Sequence, residues 1–204
     1  MRGVLTTKLV SFLSPIHRED DPMTRTFLGL IVALSASGLT VAQPPTETKL
    51  IFPIIPKVGG VVPLPKAAEQ PRKGAKIVFD ITADAKPADV SKGLERVARL
   101  LNLYGSAGLK AADVKVAIVF HGESTKSVLN DATYLEKFGV EKNPNLPVLR
   151  DLQKAGVDVF VCGQALNYKG FKESEVVEGA SVALAALTVI VNRQADGYAY
   201  IPLH

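Results

Sequence analysis

A single cysteine serves the whole chain, and its position suggests chemistry. Cys162 closes the run Val157-Asp158-Val159-Phe160-Val161-Cys162, ahead of Gly163 and Gln164. β-Branched and apolar types at this length predict a buried strand that ends at the thiol. In an α/β protein, ligands bind outside the carboxyl ends of the strands. A thiol there, followed by a glycine and a helical turn, is a candidate nucleophile. The only cysteine in a chain with an export signal has no partner for an internal disulfide, so the thiol needs another explanation.

A second group is set to meet it. His121-Gly122-Glu123-Ser124 follows the run Val114-Lys115-Val116-Ala117-Ile118-Val119-Phe120, which also reads as a strand. Parallel strands would bring both loops out at one edge, so His121 and Cys162 would share a crevice. A nearby imidazolium or helix N-terminus favours the thiolate. Gly122, Gly163, Gln164 and Asn167 are the candidates for binding a ligand in that crevice, with Tyr168 beside them. Lys169 and Lys172 could attract an anionic sulfur species. A bland reading stands beside each of these. Cys162 would be a small buried hydrophobe, and His121 a hydrogen-bonded fixture. Asn102 and Tyr104, at the end of a helix, read as core and cap residues, and Tyr198 and Tyr200 as packing.

What is missing narrows the classes. No G-x-G-x-x-G follows the first strand, and no G-x-x-x-x-G-K-[ST] or G-x-S-x-G occurs, which argues against the common nucleotide-binding loops and the hydrolase elbow. One cysteine and three histidines do not build a zinc site, and no cofactor is expected. The net charge of +4 arises from Lys and Arg scattered among Asp and Glu, a poor footprint for nucleic acid.

The elements that must position these residues follow from periodicity. Residues 75–81, 114–120, 157–162, 180–185 and 198–201 read as strands, the last ended by Pro202. Val90, Leu94, Val97, Leu101 and Tyr104 mark one face of a helix over 88–105. Shorter helical turns fall at 127–129, 134–138, 165–170 and 173–177, with helices at 147–155 and 187–195. Strands alternating with helices predict an α/β sandwich on a mainly parallel sheet.

The 204 residues, 47% apolar, suit one domain with appendages. Residues 1–42 read as a start extension followed by a secretory signal. Arg25 supplies the charge, residues 27–39 the apolar stretch, and Ala42 the cleavage point before Gln43. The natural start is then Met23. The apolar stretch is shorter than the ~20 residues that a membrane span needs. The mature chain is thus expected to be periplasmic or secreted, with no membrane contact after cleavage; an uncleaved anchor is the alternative. Residues 43–74 hold seven of the 13 prolines yet are rich in Leu, Ile, Val and Phe. Such a stretch is a flexible tether or an apolar arm laid over the domain or over a neighbouring subunit, and its apolar content favours the arm. Residues 75–204 form the domain. The arm and the apolar 176–191 region need cover, so a homo-oligomer is expected.

Three stretches together resemble a known family. Val119-Phe120-His121-Gly122, Leu152-x-x-x-Gly156-Val157-x-Val159-x-Val161-Cys162 and Ala195-Asp196-Gly197-Tyr198-Ala199-Tyr200-Ile201 are similar to the DsrE/DsrF-like sulfur-relay proteins over about residues 75–204. The resemblance implies a flavodoxin-like three-layer sandwich assembled into dimers, trimers or hexamers. It also implies that Cys162 carries sulfane sulfur as a persulfide, and that a sulfur-donor or acceptor protein is a partner. His121 matches a recurring loop position. The export signal and the arm depart from relay members that work in the cytoplasm in tRNA thiolation or sulfur oxidation. Two other readings of Cys162 stay open: a structural cysteine in an oligomeric module that binds a small ligand or protein, and a redox sensor.

Overall fold

The computed structural model describes residues 49–82 and 85–204. The start extension, the signal and the first residues of the arm lie outside them.

Five strands form one sheet: β1 Ala75–Ile81, β2 Val114–Phe120, β3 Asp158–Cys162, β4 Ala180–Ala183 and β5 Ala199–Leu203. Every pairing is parallel, in the order β4-β3-β2-β1-β5. The helices are α1 Lys92–Ser106, α2 Asp131–Phe138, α3 Leu146–Lys154, α4 Gly163–Lys169 and α5 Ala186–Ala195. The result is the expected flavodoxin-like sandwich of helices on both faces of a parallel sheet. Among the described residues no helix is long and apolar enough to cross a membrane.

Side-chain alternation explains the two faces. Ile77, Phe79, Ile81, Val116, Ile118, Phe120, Val159 and Val161 point to one side. There they meet Leu94, Val97 and Leu101 of α1 and Val148, Leu149 and Leu152 of α3, in the main core. The intervening residues point to the other side, where Val119 and Cys162 pack with Ala186 and Val189 of α5. The first four strands step in one direction across the sheet. The chain then returns from β4 past β3, β2 and β1 to reach β5, and α5 is that return.

Several boundaries move from their expected places. The first helix begins at Lys92, four residues late, because residues 86–89 close a turn in which Asp89 N–H donates to the Lys86 carbonyl at 2.9 Å. The 173–177 segment is only a 3₁₀ turn, Glu173–Glu175, whose successor Val176 bridges Leu129. Pro202 does not end the last strand. Leu203 O accepts from Thr82 N–H at 3.1 Å, so the alternation turns Pro202 away from β1. On an edge strand the missing N–H is then on the outer side, where no ladder bond is lost.

The described part of the arm lies along α1. Ile51 and Val61 exchange backbone hydrogen bonds at 2.9 and 3.0 Å, closing a loop. Asn102, read with Tyr104 as a core or cap residue, is buried and fills that loop. Its Oδ1 accepts from Ile54 N–H at 2.9 Å and Ile55 N–H at 2.8 Å, and its Nδ2 lies 3.0 Å from the carbonyls of Ile55, Val58 and Gly59. Gly59, with φ +66°, passes so close that a Cβ would stand 2.3 Å from Arg99 N. Ile55 thereby enters the main core.

Candidate functional site

Cys162 is both the last residue of β3 and the residue that caps α4. Its φ of −71° and ψ of 115° are extended, and Sγ accepts from Ala165 N–H at 3.4 Å. The backbone at the sheet's carboxyl edge therefore aims a donor at the sulfur. The connection from β3 leaves toward the main core, and that from β4 leaves toward α5. Neighbouring strands whose connections diverge are where a crevice is expected.

That crevice is filled. Gly163 packs against β4 so tightly that a Cβ would lie 2.9 Å from Ala183 O. Gln164 Nε2 donates to Leu184 O at 3.2 Å, so this candidate ligand-binding residue ties α4 to the β4–α5 connection. The thiol therefore stands under cover rather than at an open rim. Cys162 is 7% exposed, covered on its own face by Val119, Ala186 and Val189. A return helix laid across the sheet covers what strand periodicity alone leaves at the rim.

His121 stands beside it. β2 and β3 pair through Phe120↔Val161, so the next residues in register are His121 and Cys162. His121 N–H continues the ladder to Ile81 O at 3.1 Å. Its imidazole, however, is committed away from β3, with Nε2 donating to Asp80 Oδ1 at 2.6 Å. Asp80 points to the α5 face of β1 and is 5% exposed. Its Oδ2 accepts from the Tyr200 hydroxyl at 2.8 Å. Three strands thus contribute one hydrogen-bonded chain, Tyr200–Asp80–His121, at the carboxyl edge.

Asp80 and Tyr200 were not legible as site residues. Asp80 sits inside an apolar strand, and Tyr200 reads as packing. An acidic residue at a core position is the one available signal, because a buried carboxylate needs partners. Burial pushes the Asp80 carboxyl up, but the hydrogen bonds from His121 and Tyr200 and the positive charge of His121 and His204 outweigh it. The net effect holds Asp80 below its ordinary value. His204 itself lies at this edge, its Nδ1 2.8 Å from Thr82 Oγ1.

The loop after His121 is clamped. Gly122 takes φ +59°, Thr125 Oγ1 donates to Gly122 O at 2.8 Å, and Ser124 Oγ reaches His121 O at 2.8 Å. The remaining candidates are less engaged with the thiol. Lys169 is neutralised by Glu123 at 2.6 Å, which counters its expected pull on an anion. Asn167 is exposed on α4, and Tyr168 is 91% exposed. Tyr104 is buried, its hydroxyl donating to Arg72 O at 3.2 Å. A cavity of 680 Å³ opens at the opposite, amino edge of the sheet among Lys115, Asp158, Arg193 and Tyr198, away from every expected site residue. Among the described residues no three His, Cys, Asp or Glu side chains gather to hold a metal.

The profile of the DsrE/DsrF-like family matches residues 76–203. Among solved structures, the chain is similar to MTH1491, a protein of unknown function from Methanobacterium thermoautotrophicum, with 24% identity and a TM-score of 0.47 over 63% of this chain and 99% of that one. It is also similar to the YchN protein from E. coli, with 17% identity and a TM-score of 0.44 over 63% and 99%. No curated protein matches the chain.

Proposed function

The chain belongs to the DsrE/DsrF-like family, which is generally related to sulfur relay, and from that premise we propose that it carries sulfane sulfur as a persulfide on Cys162. The observation that carries this reading is the Ala165 N–H directed at Cys162 Sγ at 3.4 Å. A backbone donor of this kind stabilises a sulfur that bears negative charge. The chemistry is thiol exchange. The Cys162 thiolate attacks the outer sulfur of a donor such as thiosulfate. A new S–S bond forms, the donor's S–S bond breaks, and sulfite leaves with the electron pair. An acceptor thiolate then takes the outer sulfur and releases the Cys162 thiolate.

Cys162 is 7% exposed, so under this reading a donor reaches the sulfur only when the packing around it parts, and the seam that Gln164 and Leu184 close is the proposed place. The relay is proposed to work outside the cytoplasm, in the periplasm or as a secreted protein, because residues 25–42 have the pattern of an export signal. The test is intact mass after incubation with thiosulfate or polysulfide. The wild type gains one sulfur atom, and Cys162→Ser does not. Absence of any adduct with every donor overturns the reading.

A second reading rests on the packing of Cys162 with Val119, Ala186 and Val189. Under it the cysteine is structural, and the protein is an oligomeric module that binds a small ligand or another protein. A thiol reagent separates the two. Labelling of the native protein supports the carrier, and labelling only after unfolding supports the module. In both readings we propose a homo-oligomer, because Leu184, just before α5, and Leu187 and Val191 on it are exposed apolar side chains.

A further inference from the structure

We infer that the arm is a docking face for an anionic lipid surface, which its exposed apolar side chains enter and its lysines grip. The inference does not involve Cys162 and stands whichever reading of the thiol holds.

Charge singles out this stretch. Residues 1–48 carry four basic and four acidic side chains, and residues 75–204 carry fifteen of each. Residues 49–73 carry Lys49, Lys57, Lys66, Arg72 and Lys73 against Glu69 alone. The whole formal charge of +4 therefore lies in the arm. All five basic residues are exposed. Arg72 meets Glu69 at 3.2 Å and Lys73 meets Asp113 at 3.4 Å, while Lys49, Lys57 and Lys66 have no ion pair among the described residues.

The same stretch presents apolar side chains together. The bridge between Ile51 and Val61 is antiparallel, so Leu50 and Phe52 share a face with Gly60 and Val62. The spacing at Gly60 agrees. A Cβ there would lie 2.7 Å from Phe52 Cζ and 3.1 Å from Leu50 Cβ. Leu50 and Phe52 line one hollow with Lys57, and Val62 and Leu64 line another with Leu103 of α1. Leu64 is 66% exposed and Leu50 51%, and Phe52, Val62 and Leu103 are exposed as well. Asn102 fixes the loop that carries Leu50, Phe52 and Val62, so the face is formed before it meets a partner.

Exposed aliphatic groups framed by unpaired lysines suit a bilayer surface with anionic headgroups. The apolar side chains enter the acyl boundary, and the lysine stems lie along it with their charges at the phosphates. A second copy of the chain fits less well, because a self-complementary contact would bring the lysines of both copies together. Nucleic acid fits less well because Phe52 is the one aromatic ring in residues 49–73 that could stack on a base. The arm also follows the expected export segment, residues 27–39, more closely than any other described element. Under this proposal the mature chain keeps a peripheral membrane contact, against the expectation of none after cleavage.

The test compares the full chain on vesicles of phosphatidylcholine and on vesicles of phosphatidylcholine mixed with phosphatidylglycerol. Co-sedimentation gives the two affinities. Hydrogen exchange of residues 49–66 reads the arm itself, apart from any binding through residues 27–39. Wild type is expected to prefer the mixed vesicles by about a hundredfold, from three unpaired lysines. Those vesicles should slow exchange in residues 49–66. Lys49→Gln, Lys57→Gln and Lys66→Gln together should remove most of the preference. Lys142→Gln, Lys154→Gln and Lys172→Gln make the same change of charge on the domain and should keep it. Leu50→Ser with Leu64→Ser should weaken binding to the mixed vesicles about tenfold.

Equal affinity for the two vesicles with no slowing in residues 49–66 overturns the inference. So do equal losses in the two lysine triples, or a Leu50→Ser, Leu64→Ser variant that binds as tightly as wild type. Self-association lost in the leucine variant, or a DNA duplex bound by wild type and released by the arm triple, overturns it in favour of that partner if no vesicle is bound.

Discussion

Tyr200 donates its hydroxyl to Asp80 Oδ2 at 2.8 Å, joining the last strand to the first across 120 residues of sequence. The bond ties an edge strand to a buried charge, so its consequences are readable in stability.

The two partners shift in opposite directions, and the signs fix a pH window. Asp80 lies below its ordinary value in the folded chain. It therefore adds stability above the unfolded carboxylate value of about 3.9, and that stability is lost as pH falls through the folded value. Tyr200 is pushed above its ordinary value, first by the hydrogen bond to Asp80, then by burial and the carboxylate charge. It adds stability below about pH 10, which is lost as pH rises through the raised value. The expected thermal midpoint is flat between these limits and falls outside them. Asp80→Asn shallows the acid limb and Tyr200→Phe the alkaline one. Unchanged limbs in both variants would show that the pair is not linked to folding.

Asn102 is expected to be among the costliest polar substitutions. It serves backbone groups of Ile54, Ile55, Val58 and Gly59 from a fully buried position. Asn102→Ala leaves several of these groups unsatisfied, at a cost of about 2–4 kcal/mol. Urea unfolding gives the magnitude. Limited proteolysis in residues 49–74 is expected to quicken in the variant, since the arm loses its main polar tie to α1.

Gly163 controls how tightly α4 meets β4. A Cβ there would sit 2.9 Å from Ala183 O, a backbone atom that cannot step aside. Gly163→Ala is expected to cost about 1–3 kcal/mol and to open the seam over Cys162. Thiol labelling of the native variant should outpace wild type. Labelling no faster than wild type, with stability lost, would place the route to the sulfur elsewhere.

The exposed apolar side chains of α5 give the assembly a test. Leu187 is 74% exposed and Val191 62%. Changing both to lysine removes apolar area without touching the core. Sedimentation at micromolar protein should show wild type as an oligomer and the variant as a smaller species. A monomeric wild type would leave these side chains without this role.

Much of the framework was legible in the sequence because its signals are local. Val114–Phe120 and the run ending at Cys162 are long apolar stretches of strand length, and both are buried strands. Leu94, Val97 and Leu101 share a helical face, and all three are buried. Pro202 misled because proline ends a strand only when its missing N–H faces a partner, and strand order decides that. Asn102 was legible as a core or cap residue, but its partners were not. Its place near a helix end says nothing of the groups it binds, which lie 43 to 48 residues away.

The sequence by itself determined roughly where the main strands and helices fall, that one thiol stands at a strand's end, and that no internal disulfide can engage it. Periodicity and composition suffice for these, since each concerns near neighbours along the chain. Only the tertiary structure decided that Asp80, His121 and Tyr200 meet and that α5 covers Cys162. Alternation says that successive side chains take opposite faces, but not what lies over each face. That depends on the strand order β4-β3-β2-β1-β5 and on the return of the chain from one edge of the sheet to the other, which no local pattern encodes.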